Sequence, residues 1–306
     1  MKYPWQTLQS TLLEKQFNQQ CFPQALLLTG ASGLGQTEFA KEWAQRLLCN
    51  QLTCSNQKNC RSCHLFKAGN HPDYFILSPQ EGGDTIKIDP MRSVLSSIEK
   101  TPQCASCQVV VIDPANLMTS SAANALLKML EEPPGHVVFF LVAHQSSALP
   151  ATVISRCQRL TFALTDRQAG LSWLETQLTD PTQASDLLQL SGDAPLDALT
   201  LSKTKAMTLR AQLLDCLYQI TLQKQSPSAT VSALLKSDFS LVLTTLLQIT
   251  LDLLKHALHV PSSFNSQLDD NKKITLLQEK GAPLVFARFL PEITERIRLH
   301  EQHNTL

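Results

Sequence analysis

Apolar residues along this chain follow two rhythms, short unbroken runs and repeats spaced by three and four. Five segments read as strands, most of them apolar runs: residues 25–29 (Ala-Leu-Leu-Leu-Thr), 74–77 (Tyr-Phe-Ile-Leu), 109–113 (Val-Val-Val-Ile-Asp), 137–143 and 158–162. The unbroken ones suit parallel strands buried on both faces. Between them the spacing is helical. Residues 4–22 carry Leu8, Leu12, Leu13 and Phe17 on one predicted face. The stretch after residue 36 carries Ala40, Trp43, Ala44, Leu47 and Leu48; residues 91–98 carry Met91, Val94, Leu95 and Ile98. Residues 120–132 carry Ala123, Leu126, Leu127 and Leu130, and Pro133-Pro134-Gly135 ends them. A short helix is expected near 150–154. Gly82-Gly83 reads as a turn before a short extended piece at 85–88, and Asp89-Pro90 as a helix start with Asp at the N-cap and Pro at N1. Strands alternating with helices predict a five-stranded parallel α/β sheet with right-handed crossovers. Beyond Ala163 the strand signals stop. A small helical segment runs to about 204, interrupted at Gly192, and from Met207 onward the pattern is long and helical apart from the polar stretch 262–270.

At 306 residues the chain is long enough for two or three domains. The formal net charge of zero removes any global basic field of the kind that announces nucleic-acid binding. No apolar stretch approaches the roughly 18 residues needed to span a bilayer, and no apolar segment of a secretory leader follows Met1-Lys2-Tyr3-Pro4-Trp5-Gln6. The expected compartment is the cytoplasm, where thiols stay reduced.

The strand at 25–29, the turn Gly30-Ala31-Ser32-Gly33-Leu34-Gly35-Gln36-Thr37 and the helix after it form the context of a G-x-x-x-x-G-K-[ST] phosphate loop. In that motif backbone N–H groups and a helix N-terminus cradle phosphates while a lysine reaches the terminal ones. Gly30, Gly33, Gly35 and Thr37 are in place, but Gln36 stands where the lysine belongs. A neutral amide forgoes a Coulomb attraction of about 4 kcal/mol per charge pair at contact, even at an effective dielectric near 20. The loop therefore reads as a phosphate loop disabled for hydrolysis. Asp113, at the end of a buried strand, sits where such sheets place ligands and where a magnesium-binding acid belongs; as a lone residue it reads equally well as a strand-end cap. Pro114 follows it rather than a second acid.

Of nine cysteines, four fall in one polar segment: Cys49, Cys54, Cys60 and Cys63. The C-x-x-C pair at 60 and 63 has the spacing with which two thiolates grip one zinc, and Cys49 and Cys54 can complete a four-thiolate site. A redox pair, or unligated thiols in a surface loop, fits the same spacing. Cys104 and Cys107 read as incidental loop cysteines.

With Ser155-Arg156-Cys157 the pieces resemble a known family, the bacterial clamp-loader subunits of the AAA+ class. The resemblance rests on the loop at 30–37, the cysteine insertion after it, His71-Pro72-Asp73, Ala123-Asn124-Ala125-Leu126-Leu127-Lys128 with Leu130-Glu131-Glu132-Pro133-Pro134, and Ser155-Arg156-Cys157. It implies an AAA+ α/β module of the P-loop type over 1–163 with a zinc insertion at about 49–63, a small helical lid over 164–204 and an all-helical collar over 205–306. It implies Zn²⁺ on Cys49, Cys54, Cys60 and Cys63. The spacing C-x4-C-x5-C-x2-C departs from the family's C-x8-C-x2-C-x2-C, which leaves Cys54 displaced. Family members commonly continue past the position of Leu306 with another apolar helix.

Within the family, the losses at Gln36 and Pro114, Ala143 or His144 at the first sensor position and Leu196 at the second side with a stationary subunit whose own ATP is not hydrolysed and is bound unproductively if at all. What is kept is Arg156, which the resemblance makes an arginine finger, flanked by Ser155 and Cys157 and directed at ATP held by a neighbour. By position alone it reads as a surface arginine in an ordinary ion pair. Implied partners are gamma/tau-type ATPase subunits and a delta-type subunit in a five-membered ring, with the sliding clamp and primer-template DNA reached through the complex, and no membrane. The rivals are a catalytically active motor subunit of the same ring, and a zinc-dependent adaptor for single-stranded DNA. Against the adaptor stands an aromatic content of 6%, thin for a stacking groove.

Overall fold

A computed structural model of the chain describes residues 3–49, 60–80, 84–144, 149–204, 206–222, 226, 239–258, 275, 277 and 287–296. The Gly82-Gly83 turn, Cys54 and the stretch 262–270 lie outside the described residues. The chain divides into two compact units, Met1–Asp166 and Arg167–Leu306.

The first unit is built on β1 (Ala25–Thr29), β2 (Tyr74–Leu77), β3 (Gln108–Ile112), β4 (Val137–Ala143) and β5 (Gln158–Thr161), all parallel in the spatial order β2-β3-β4-β1-β5. Around them run α1 (Thr7–Asn18), α2 (Gln36–Leu48), α3 (Arg61–Lys67), α4 (Ile88–Ile98), α5 (Ser120–Glu131) and the single turn α6 (Ala151–Ile154). Alternation along the strands feeds two apolar layers. Leu27, Val110, Ile112, Phe139 and Leu141 pack with Met91, Leu95 and Ile98 of α4 and Ala122, Ala123 and Leu126 of α5. Leu26, Leu28, Val109, Val111 and Phe140 pack with Phe39, Ala40 and Trp43 of α2 and Leu13 of α1.

The first helix departs from expectation. A 3-10 turn, Pro4–Gln6, precedes it, and of its predicted apolar face Leu13 is fully buried while Leu8 and Leu12 are 75% and 40% exposed. Gln9 and Ser10 are buried instead. The cause is the edge strand. Gln9 Nε2 donates to the carbonyl of Thr161 at 2.7 Å, and the side-chain amides of Gln16 and Gln158 meet at 3.3 Å. Helix α1 covers the edge of β5, and Gln9 supplies a donor to an edge-strand carbonyl. Helix α4 begins at Ile88 with Lys87 as N-cap, so Asp89 and Pro90 lie inside its first turn. A carboxylate is still favourable there, and the N–H that proline lacks would have had no intrahelical acceptor. Helix α5 is capped by Thr119, whose hydroxyl accepts from the N–H of Ala122 at 3.3 Å.

The described residues of the second unit form helices joined by turns, with no strand among them: α7 (Arg167–Gln177), α8 (Ala184–Leu190), α9 (Pro195–Ser202), α10 (Ala206–Thr221) and α11 (Phe239–Ala257), with residues 287–296 also helical. Leu209, Leu213 and Leu214 of α10 pack on Ile249 and Leu253 of α11. Within this apolar contact Arg210 Nη2 donates to Asp252 Oδ2 at 3.1 Å, with both side chains under a tenth exposed. Gln189 of α8 donates to the other carboxylate oxygen at 3.2 Å. One buried acid thus ties three helices. Removing one partner of such a pair leaves a charge with no water to solvate it. Asp252→Ala is expected to lower the stability of this unit by about 3 kcal/mol or more. Urea unfolding of the full chain, followed by circular dichroism, measures it.

Candidate functional site

The turn from β1 into α2 brings the glycine loop against the end of β5 and the N-terminal turn. Gly30, at φ +156°, passes so close to β5 that a Cβ would lie 2.4 Å from the carbonyl oxygen of Phe162. Gly35, at φ +83°, is the left-handed N-cap of α2, and a Cβ there would fall 2.7 Å from the Tyr3 ring and 2.8 Å from Gln6 Nε2. The N-terminal turn also bonds to the loop. Trp5 Nε1–H donates to the carbonyl of Leu34 at 3.0 Å, and Gln6 Nε2 donates to the carbonyls of Leu34 and Gly35 at 2.8 and 2.9 Å. Tyr3 stacks on Trp5 with ring centroids 5.0 Å apart. These brace residues carry no motif; the only signal at sequence level was a polar Gln set among aromatics ahead of a helix.

Gln36 is 2% exposed, and its Nε2 donates to the carbonyl of Ala31 in the same loop at 2.8 Å. The residue in the lysine's place therefore closes the loop on itself and offers no positive charge. Next to it Thr37 Oγ1 donates to Asp113 Oδ2 at 2.7 Å, across from the end of β3. The two groups that would share a magnesium ion in a working site are hydrogen-bonded to each other. Asp113's charge, after burial, pushes the Tyr74 phenol up to about 12. Near the loop's other flank, burial and then the carboxylates of Glu38 and Glu42 raise the Tyr3 phenol above its ordinary value of 10.0. Pro114 occupies the position after Asp113, where a second acid would activate water. At the end of β4, Ala143 is buried, and His144 Nδ1 is shut from solvent with no hydrogen-bond partner among the described residues.

β1 and β5 are parallel neighbours. The glycine loop follows β1 and Arg156 precedes β5, so the two lie at opposite ends of the sheet. Each residue of Ser155-Arg156-Cys157 has a separate part. Cys157 packs against the core, and burial pushes its thiol up to about 11, so it is a neutral anchor. Ser155 Oγ donates to the carbonyl of Thr152 at 3.1 Å. Arg156 points outward, its side chain 36% exposed. Its Nη1 donates to the carbonyl of Thr152 at 3.0 Å and lies 3.4 Å from Ser155 Oγ, while Nη2 pairs with Glu131 Oε1 at the end of α5. The pairing of Glu131 with Arg156 was not legible in the sequence.

The third cluster is sulfur. Cys49, at the end of α2, and Cys60 and Cys63, at the start of α3, bring their three Sγ atoms within 4.8 Å of one another, with Cys49 and Cys60 at 3.8 Å. Sulfurs on a tetrahedral zinc at about 2.3 Å would lie about 3.8 Å apart, so the Cys49–Cys60 pair already stands at coordinating separation and three of the expected ligands are grouped closely enough to hold a metal ion. Cys104 and Cys107 are not part of the group; Cys107 is buried and donates to the carbonyl of Leu47 at 3.6 Å. Burial, then the neighbouring thiols of Cys49 and Cys60, push Cys63 up to about 12. The free Cys63 thiol therefore keeps its proton, and a bound metal ion would displace it.

His71-Pro72-Asp73 fastens this corner to the sheet. Asp73 is fully buried, and its carboxylate accepts from the backbone N–H groups of Gln103, Cys104 and Ala105 at 2.7, 2.7 and 2.8 Å. Its own N–H donates to His71 Nδ1 at 3.1 Å, which leaves the proton on Nε2, 2.8 Å from Ser62 Oγ. Ser62 in turn donates to the carbonyl of Leu48 at 2.5 Å. Burial lowers the His71 pKa, in keeping with this neutral tautomer.

A parallel sheet in this order, with a phosphate-type loop after β1 and an acid after β3, defines a P-loop α/β module of the AAA+ class. The chain belongs to the family described as DNA polymerase III, delta subunit, whose profile matches residues 5–166. It is similar to the DNA polymerase III subunit delta' of Pseudomonas aeruginosa, with 34% identity over 91% of this chain and 85% of that protein. It is also similar to the subunit of the same name in Escherichia coli, with 34% identity over 65% of this chain and 60% of that one. Among solved structures, a DNA polymerase III gamma-subunit-related protein of Thermotoga maritima aligns with 96% of this chain and 99% of its own, at 17% identity and a TM-score of 0.43. Among the described residues no helix is long and apolar enough to cross a membrane.

The thiol cluster yields a direct test. Titrating the reduced full chain with Co²⁺ is expected to give thiolate-to-cobalt charge-transfer absorption and to release protons. Cys60→Ser is expected to lose most of that absorption.

Proposed function

We propose that this chain is the stationary member of a clamp-loader ring, of the delta-prime type, which lends Arg156 to ATP held by a neighbouring subunit and turns over none of its own. The observation that carries this reading is Gln36, buried and bonded to the carbonyl of Ala31, in the one position from which a lysine would reach a terminal phosphate. A loop without that charge, braced from outside by Trp5 and Gln6, has no group to neutralise the charge that develops on a transferring phosphoryl. At the other end of the sheet, Arg156 holds its charge at the surface, where a second subunit can reach it. An arginine supplied in trans stabilises that charge and is worth about 10³ to 10⁵ in rate.

In this reading the ring contains gamma/tau-type and delta-type subunits, acts in the cytoplasm, and loads a sliding clamp on primed DNA at the cost of ATP. Residues 164–204 act as the lid and 205–306 as the collar of the assembly. Cys49, Cys60 and Cys63 hold a structural zinc, with Cys54 as the fourth ligand. Such an ion would supply folding energy to the insertion rather than chemistry.

Arg156→Ala in the reconstituted complex tests the proposal. Clamp loading and clamp-stimulated ATPase are expected to fall about tenfold or more while the ring still assembles. ATPase at the unaltered level would remove the trans role.

A further inference from the structure

Resting on the trans role of Arg156 proposed above, we infer that Glu131 is the positioning residue that holds the arginine ready for the neighbour's phosphate. Glu131 is the last residue of α5, and Arg156 lies two residues beyond α6; these helices pack against each other. The guanidinium is fixed from both sides. Nη2 is paired with the Glu131 carboxylate, and Nη1 is held by the carbonyl of Thr152 with Ser155 Oγ nearby. These contacts leave Nε–H and the second hydrogen of Nη2 without acceptors among the described residues. A guanidinium has five donors in a fixed fork, so the remaining ones can meet a phosphate oxygen without Glu131 having to leave.

The physical case is one of order. An arginine side chain has large rotamer freedom, and a finger that must be frozen at each encounter loses rate through that freedom. Small misplacements of a charge-stabilising group are costly, because the group acts only on charge that appears in the transition state. An exposed ion pair contributes little to folding, and both side chains here are over a third exposed. Stability therefore gives this pair little reason to exist. Glu131 also sits where the helix dipole is negative, so the end of α5 and the carboxylate favour the cation together. Glu131 touches no substrate; it acts through Arg156.

The test is steady-state ATPase of the reconstituted complex with clamp and primed DNA, comparing Glu131→Ala, Glu131→Gln, Arg156→Ala and the double variant Glu131→Ala/Arg156→Ala. Glu131→Ala is expected to lower kcat about three- to tenfold with KM for ATP within about twofold, since orientation is used in the transition state rather than in binding. Glu131→Gln, which keeps an acceptor oxygen, is expected to recover most of the loss. The thermal midpoint of the isolated chain is expected to stay within about 2 °C in both single variants, and the double variant to match Arg156→Ala. If Arg156→Ala lowers kcat and Glu131→Ala does not, the positioning role is wrong and the finger stands. If Arg156→Ala changes nothing, both fall. If Glu131→Ala lowers kcat further in the Arg156→Ala background, Glu131 acts on something other than the arginine and the inference is overturned.

Discussion

The short hydrogen bond from the Gln36 amide to the carbonyl of Ala31 is the contact on which the rest of this molecule turns. A phosphate loop is a ring of backbone N–H groups that wants a negative guest and usually offers a lysine to hold it. Here the side chain in that position is spent on the loop's own backbone, and the Trp5 and Gln6 side chains bond to the carbonyls of Leu34 and Gly35. The loop's shape is then maintained by the chain itself. Thr37 and Asp113, bonded to each other, complete the same theme. A module built like this keeps the form of a nucleotide site without depending on a nucleotide for its rigidity.

Rigidity also explains the other clusters. Asp73 gathers three backbone N–H groups and positions the histidine that meets Ser62, one residue from Cys63, so the thiol corner is fastened to the sheet. Arg156 is anchored through Cys157 inside and Glu131 outside. In the second unit a buried ion pair joins helices that apolar packing alone would leave freer to slide. In each case a polar group fixes the position of a neighbouring stretch of chain.

Much of this was legible in the sequence, and the parts that were not share a cause. Strands β1, β3 and β4 were readable because a parallel strand buried on both faces is apolar along its length, as Val109-Val110-Val111-Ile112 is; β2 and β5, at the sheet edges and only partly buried, were legible chiefly from their place between helical stretches. The glycine loop was readable because its backbone conformation restricts the residues allowed; Gly30 and Gly35 have no room for a Cβ. Helix α1 misled because its spacing placed Leu8 and Leu12 inward, whereas covering the edge of β5 required the amides of Gln9 and Gln16 there. The partners of loops and charges, Trp5 and Gln6 on Leu34 or Glu131 on Arg156, are distant in sequence and leave no periodic trace. Only the folded chain reveals them.

The central claim is that the chain's own loop does no chemistry, and the most direct measurement is ATP turnover by the purified, unassembled chain with clamp and primed DNA present. The account predicts no hydrolysis above the buffer blank, the same in the native chain and in Thr37→Ala. Turnover that the native chain sustains and Thr37→Ala abolishes would contradict it, because a working site would then exist around Gln36.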